Sequence, residues 1–220
     1  MQAQAKPVRP RDAATLVIHR EADGGREVLL GRRSDKARFK PGVYVFPGGG
    51  LEAHDHRVVP HSPLPPDIPP RVGVGQALGR AQALALAAVR ETFEECGLVV
   101  GAPGDIGANP SPSWQAFRAR GVAPPLGALR YLGRAITPAV QPIRFHARFF
   151  AVDARYVSGK TDDTSELSDL QWVRVAQVRD LQVMPVTLLM LEALTRQLDN
   201  NDPRAAYLST RQGKRLIVWV

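Results

Sequence analysis

One short stretch, Arg90-Glu91-Thr92-Phe93-Glu94-Glu95-Cys96-Gly97, constrains this chain more than any other. On an α-helix Glu91 lies three and four residues from Glu94 and Glu95, so the three carboxylates leave nearly the same face. Like charges at that spacing repel one another. Two readings are open from the residues alone. One is a solvated helix face on which Arg90 pairs with Glu94, four residues on. The other is a set of hard oxygen ligands whose repulsion is relieved by Mg²⁺ or Mn²⁺, ions that take carboxylates together with substrate phosphates.

The upstream sequence favours the second. Val43-Tyr44-Val45-Phe46 is strand-like and leads into Pro47-Gly48-Gly49-Gly50-Leu51-Glu52-Ala53-His54-Asp55. Glycine permits close approach of backbone to a ligand, so this turn can aim carbonyls or amides at a metal or a phosphate. Together the two segments resemble the signature of the Nudix hydrolases: Gly, five residues, Glu, seven residues, then Arg-Glu, an apolar residue, any residue, Glu-Glu, any residue, Gly and an apolar residue. Counting from Gly49, Asp55 stands where that pattern has its first Glu, and Arg90, Glu91, Glu94, Glu95, Gly97 and Leu98 fill the later positions. Thr92 occupies the apolar slot. The spacing also departs: 34 residues, 56 to 89, separate Asp55 from Arg90 where the pattern has seven, an excess of 27.

That excess contains Pro60, Pro63, Pro65, Pro66, Pro69 and Pro70, which forbid a continuous helix or central strand. Residues 56–77 are therefore expected to form a proline-rich insertion looping outside the fold from the mouth of the site, a flap that shapes substrate access and leaves core stability largely untouched. A second match lies just before it. Leu29-Leu30, Arg33-Ser34, Arg38, Gly42 and Phe46-Pro47-Gly48-Gly49 keep the spacing of the motif found in Nudix coenzyme A diphosphatases, with Gly31 where that motif has Thr. The split signature also resembles the insertion-bearing acyl-coenzyme A diphosphatases. On residue type alone Leu29 and Leu30 read as core; Arg33 and Arg38 are candidate substrate residues or ordinary surface arginines.

What the resemblance implies is attack of water on a phosphoanhydride, with Mg²⁺ or Mn²⁺ held by Glu91, Glu94, Glu95 and the Gly49 carbonyl. Arg90 is expected to orient the carboxylates, paired with Asp55 across the loop. A further acid is expected from the run Asp162, Asp163, Glu166 and Asp169, with Glu166 chosen. The substrate implied is coenzyme A or an acyl-coenzyme A. A nucleotide sugar or dinucleotide hydrolase would carry the same helix. A different class, a Nudix-fold module that binds RNA or protein without turnover, is disfavoured because a pure binder has no use for three mutually repelling carboxylates.

With 220 residues, 44% apolar and 23% charged, the chain is long enough for one substantial core and is read as a single domain, 1–220. Its net charge of +8 raises the local concentration of polyanions without choosing among them. Because the basic residues are dispersed and no nucleic-acid-binding signature accompanies them, a small phosphoanhydride partner is expected rather than nucleic acid. A homodimer is compatible with this reading. The lone Cys96 excludes an internal disulfide and reads as a helix-packing residue, and the five scattered histidines lack zinc spacing. No run of 18 apolar residues and no signal-peptide core occurs, so a cytoplasmic protein without a membrane span is expected.

Strands are predicted near Ala13–His19, Glu27–Arg32, Val43–Phe46, Leu129–Ile136, Arg144–Val152 and Leu170–Val175, from alternation and β-branched content. Helices are predicted from Gly79 or Arg80 to Cys96, capped by Gly97, then over Ser113–Arg120 and Pro185–Leu198. Leu84, Ala85, Ala88 and Thr92 form the buried stripe of the first. This order fits an α+β fold. The family resemblance specifies it further as an αβα sandwich with a mixed sheet and a loop-helix-loop motif on one side.

Overall fold

A computed structural model of the protein describes residues 8–37, 39–75 and 77–220. Nine strands form the main sheet: β1 (Arg11–Ala22), β2 (Gly25–Arg33), β3 (Tyr44–Val45), β4 (Gly48–Gly50), β5 (Arg130–Ile136), β6 (Phe145–Asp153), β7 (Leu167–Arg174), β8 (Ala206–Arg211) and β9 (Lys214–Trp219). The path runs β7-β2-β1-β6-β5-β8-β9, with β3 paired to β2 and β4 to β1. The β1–β6 and β5–β8 pairs are parallel and the rest antiparallel, so the sheet is mixed.

Period-two alternation builds a core on each face. Ala14, Leu16 and Ile18 of β1 and Phe150 and Val152 of β6 face α1 (Leu78–Cys96) and α2 (Pro112–Ala119). Val17, Phe149 and Ala151 point the other way, toward α3 (Pro185–Asp199). The arrangement is the α+β, αβα sandwich that the sequence implied, with the predicted helices within a few residues of their observed ends. Gly97 closes α1 as foreseen: it lies at φ 71° and its N–H reaches the Phe93 carbonyl at 2.9 Å. The Thr92 side chain is fully buried because its hydroxyl donates to the Ala88 carbonyl one turn back, at 2.9 Å, so a polar residue is tolerated in the apolar slot.

Two details of the sheet position the site. The start of β1 pairs with β4, Ala13–Thr15 against Gly50–Gly48, whereas its end pairs with β2, His19–Ala22 against Val28–Gly25. β2 therefore peels away from β1, and the glycine segment fills the gap as a short strand rather than the turn the sequence suggested. Only glycine fits there: a Cβ on Gly48 would lie 2.5 Å from the Ala14 carbonyl oxygen. The strand predicted over Val43–Phe46 shrinks to Tyr44–Val45, since Pro47 has no N–H to extend the ladder. The hairpin β8–β9 was not anticipated.

The expectation that residues 56–77 loop outside the fold is overturned. Val58, Leu64, Ile68 and Val72 are buried in the α1-side core. Backbone bonds from Val59 N–H to the Ile106 carbonyl and from His61 N–H to the Pro124 carbonyl, both 2.9 Å, tie the stretch to the segment around α2. Prolines do forbid a helix or a central strand here, yet an irregular strap can still insert apolar side chains while its prolines leave fewer N–H groups to satisfy. Ile68→Ala should therefore lower the free energy of unfolding by about 2–5 kcal/mol, the usual cost of such a truncation in a packed core. Replacing 57–76 by a Gly/Ser linker should destabilise the protein more than that, both measured by denaturant unfolding.

Candidate active site

The Arg90 side chain, 1% exposed, is the hub of the site. Its Nε–H donates to Asp55 Oδ1 (2.9 Å), and Nη2 donates to Asp55 Oδ2 (3.2 Å) and to the Gly50 carbonyl (2.7 Å). Nη1 donates to Glu91 Oε1 (2.9 Å) and Glu94 Oε2 (2.8 Å). All five guanidinium N–H donors are thus engaged. Burial works against the charge on Arg90, but the bond from Asp55 and the charges of Glu91, Asp55 and Glu94 outweigh it, so its pKa is raised. The Arg90–Asp55 pairing expected from the sequence is present, and the shorter Asp reaches the guanidinium with both of its oxygens.

Asp55 is completely enclosed, and both oxygens are saturated. Besides Arg90 it accepts from Glu52 N–H at 2.9 Å and from Trp114 Nε1–H at 3.1 Å. Trp114 belongs to α2, as does Ser113, whose hydroxyl donates to Glu94 Oε1. Neither was visible from the sequence, where they lie 15 and 16 residues past Leu98, the end of the motif, with only a short helix to mark them.

The three glutamates differ in environment. Glu95 is buried, and Gly48 N–H donates to its Oε2 at 2.8 Å. Burial raises its pKa to about 8, the Gly48 bond opposes, and the charges of Glu91 and Glu166 add to the rise. The Glu91 side chain is 13% exposed and packs against Gly49, whose Cβ would sit 2.5 Å from that carboxylate. Burial raises Glu91 to about 7, opposed by Arg90 and reinforced by Glu94 and Glu166. Glu94 is more open, its oxygens turned to Arg90 and Ser113. Among the described residues no three His, Cys, Asp or Glu side chains converge as a metal site, and Glu94 is turned to these two partners. Glu91 and Glu95 nevertheless fit a hard cation: one half-buried and one buried carboxylate, both with raised pKa, beside the Gly49 backbone form an all-oxygen donor set of the kind Mg²⁺ and Mn²⁺ prefer.

Of the remaining candidates, Glu166 lies close enough for its charge to act on both Glu91 and Glu95, and its carbonyl accepts from Ser34 N–H at 3.0 Å. Asp169 is instead engaged by the Tyr44 hydroxyl. The Arg33 guanidinium lowers the Glu95 pKa through space, makes no ion pair among the described residues, and leaves Nε buried without a partner. Arg38 lies outside the described residues. Leu29 and Leu30 are core, and Gly31 departs from Thr because a Cβ there would meet Leu170 Cδ2 at 2.8 Å. Cys96 is buried, its thiol pushed up to about 12 by burial, which makes it inert.

With this geometry in place, comparison with known proteins identifies the class. The NUDIX domain model matches residues 9–193, and the chain belongs to the Nudix hydrolase superfamily, a class of enzymes. A crystal structure of a NUDIX hydrolase from Alicyclobacillus acidocaldarius superposes with a TM-score of 0.67 at 29% identity, covering 85% of this chain and 91% of that one. Among curated proteins the chain is similar to acyl-coenzyme A diphosphatase NUDT19 of Gallus gallus, 33% identical over a 140-residue alignment, with 48% of this chain and 37% of that protein covered. It is also similar to acyl-coenzyme A diphosphatase NUDT19 of Xenopus laevis, 24% identical over 197 residues, 66% of this chain and 52% of that protein. The chain thus spans about half or less of the length of these curated relatives. None of the described helices is long and apolar enough to cross a membrane.

The raised carboxylates carry a signature in pH. A carboxyl whose folded pKa exceeds its unfolded value of 4.5 stabilises the fold fully below about pH 4.5, and loses that contribution as pH rises through the folded value. In metal-free protein the unfolding midpoint should therefore fall between about pH 5 and pH 8. Glu95→Gln should flatten the upper part of that slope, and Mg²⁺ or Mn²⁺ should stabilise the wild type more at pH 8 than at pH 5. Calorimetry across pH checks both.

Proposed function

We propose that the protein is a Mg²⁺- or Mn²⁺-dependent diphosphatase of coenzyme A or acyl-coenzyme A, releasing 3′,5′-ADP and 4′-phosphopantetheine or its acylated form. The observation that carries this reading is the coincidence of a half-buried Glu91 and a buried Glu95 with Arg33 of the upstream motif, which makes no ion pair among the described residues and whose charge reaches Glu95. The acyl-coenzyme A diphosphatase activity for which the two NUDT19 proteins are named supports the same substrate class.

Glu91, Glu95 and the Gly49 carbonyl would hold the cation, which when bound neutralises charge on the phosphoryl oxygens and supplies hydroxide at neutral pH; Glu94, taken up by Arg90 and Ser113, would not. The chain's own groups do the rest. Gly48 N–H holds one oxygen of Glu95 and fixes its orientation. Arg90 restrains Glu91 and Glu94 and is too fully engaged to clamp substrate. Arg33 would offer a planar fork to a phosphate, and Glu166, whose charge reaches Glu91 and Glu95, would take the proton of the attacking water. Water adds to one phosphorus, the bridging P–O bond breaks, and the other phosphate leaves with the electron pair.

Assaying coenzyme A, an acyl-coenzyme A, ADP-ribose, NADH and dinucleotides with product identification tests this. Equal amounts of 3′,5′-ADP and the phosphopantetheine species are expected, with little turnover of the others. Preferential cleavage of ADP-ribose or dinucleotides would assign the nucleoside diphosphate branch instead, and tight RNA binding without any hydrolysis would assign a binding module. Glu95→Gln should reduce turnover by about 10²–10³, typical for loss of one charge-stabilising group. Arg33→Ala should raise KM for coenzyme A about tenfold or more, as for a lost hydrogen bond to a charged group, with kcat less affected.

A further inference from the structure

The signature is interrupted between Asp55 and Arg90, so its two halves lack the short covalent link of the uninterrupted pattern. The segment entering α2 contacts both. On the first half, Asn109 Nδ2 donates to the His54 carbonyl at 3.0 Å and Trp114 Nε1–H donates to Asp55 Oδ1 at 3.1 Å. On the second, the Ser113 hydroxyl donates to Glu94 Oε1. Asn109 also accepts from Ser111 N–H at 3.0 Å, which fixes the entry to α2. Trp114 itself is fully enclosed and packs on Phe117, which in turn packs on Phe93 of α1.

We propose that Trp114 is a positioning residue for the reaction proposed above, acting through Asp55 and Arg90 on Glu91 and Glu94, and that Asp55 is matched to it. The accounting of donors supports this. Asp55 is enclosed and has room for about four hydrogen bonds, and the indole N–H supplies the fourth. Without it a buried carboxylate oxygen loses a donor, and Arg90 loses the fixed acceptor that sets the direction of its Nη1 toward the glutamates. The indole also accounts for the shorter acid: with Trp114 filling the space beyond the carboxyl, a Glu at position 55 would be overpacked. Asp and Trp therefore form one unit in this chain.

Trp114→Phe keeps an aromatic ring and removes the N–H donor. It should lower kcat about tenfold with KM within about twofold, the pattern of misplaced catalytic groups rather than lost substrate contacts. In the metal-free protein, exchange of the Arg90 Nε–H, followed by heteronuclear NMR, should speed up about tenfold relative to wild type. Asp55→Glu, although it restores the residue of the family pattern, should also lower kcat, and the double variant should recover to within about threefold of wild type, a coupling that independent sites do not show. Wild-type kcat and wild-type Arg90 exchange in Trp114→Phe would overturn the proposal, as would additive losses in the double variant. If Trp114→Phe fails to fold, the kcat and Arg90 exchange of Asp55→Glu decide it: wild-type values overturn it and losses of the stated size support it. Absence of any hydrolysis by wild type would refute the proposed function alone, because the exchange comparison needs neither metal nor substrate.

Discussion

A buried guanidinium whose five donors are all used is the constraint on which the rest of this site depends. Taking Arg90 and Asp55 out of water is costly, and the arrangement is tolerable only because every donor and acceptor is matched. The match recruits the glycine segment through the Gly50 carbonyl, the first half of the signature through Asp55, and α1 through Glu91 and Glu94. Removing any one partner leaves a buried charge short of a bond. The geometry of the site is therefore over-determined by the need to satisfy one cation.

The same hub separates two electrostatic environments along one helix turn. Glu94 is drawn off by Arg90 and Ser113, whereas Glu91 and Glu95 sit in a drier place and resist ionisation. Glycine is what lets them come so near the backbone. Gly48 presses on β1 and donates to Glu95, and Gly49 leaves room for the Glu91 carboxylate. The result is a pair of carboxyl groups that resist ionisation beside the glycine backbone, a setting in which a divalent cation would bind with advantage.

Much of this was legible in the linear chain, for identifiable reasons. Local rules carried α1: alanine and leucine favour helix, the apolar stripe has helical period, and Gly97 supplies the left-handed cap. The Arg90–Asp55 pairing was legible through the family resemblance, which sets an acid at position 55 opposite Arg90 even though the acid is the shorter Asp and the spacing is broken by the insertion. The proline-rich stretch misled, because proline reports on hydrogen-bonding capacity and says nothing of burial; Val58, Leu64, Ile68 and Val72 enter the core from an irregular strap. The glycine segment was read as a turn because glycine lacks strand preference, and it pairs with β1 only because β2 has moved aside. Ser113 and Trp114 left no signal, since contacts across 19 and 59 residues leave no local pattern.

By itself the sequence determined which groups are available and how they are spaced on each element: three carboxylates on one helix face, an arginine among them, glycines before them, and apolar alternation enough for a two-sided sheet. These follow from period and residue chemistry, which are properties of the chain over a few residues. Only the tertiary structure decided which carboxylates are dry, which donors they receive, and that a helix outside the signature joins its two halves. Burial and hydrogen-bond partnership depend on segments far apart in the chain being brought within about 3 Å, and that distance is set by packing rather than by sequence separation.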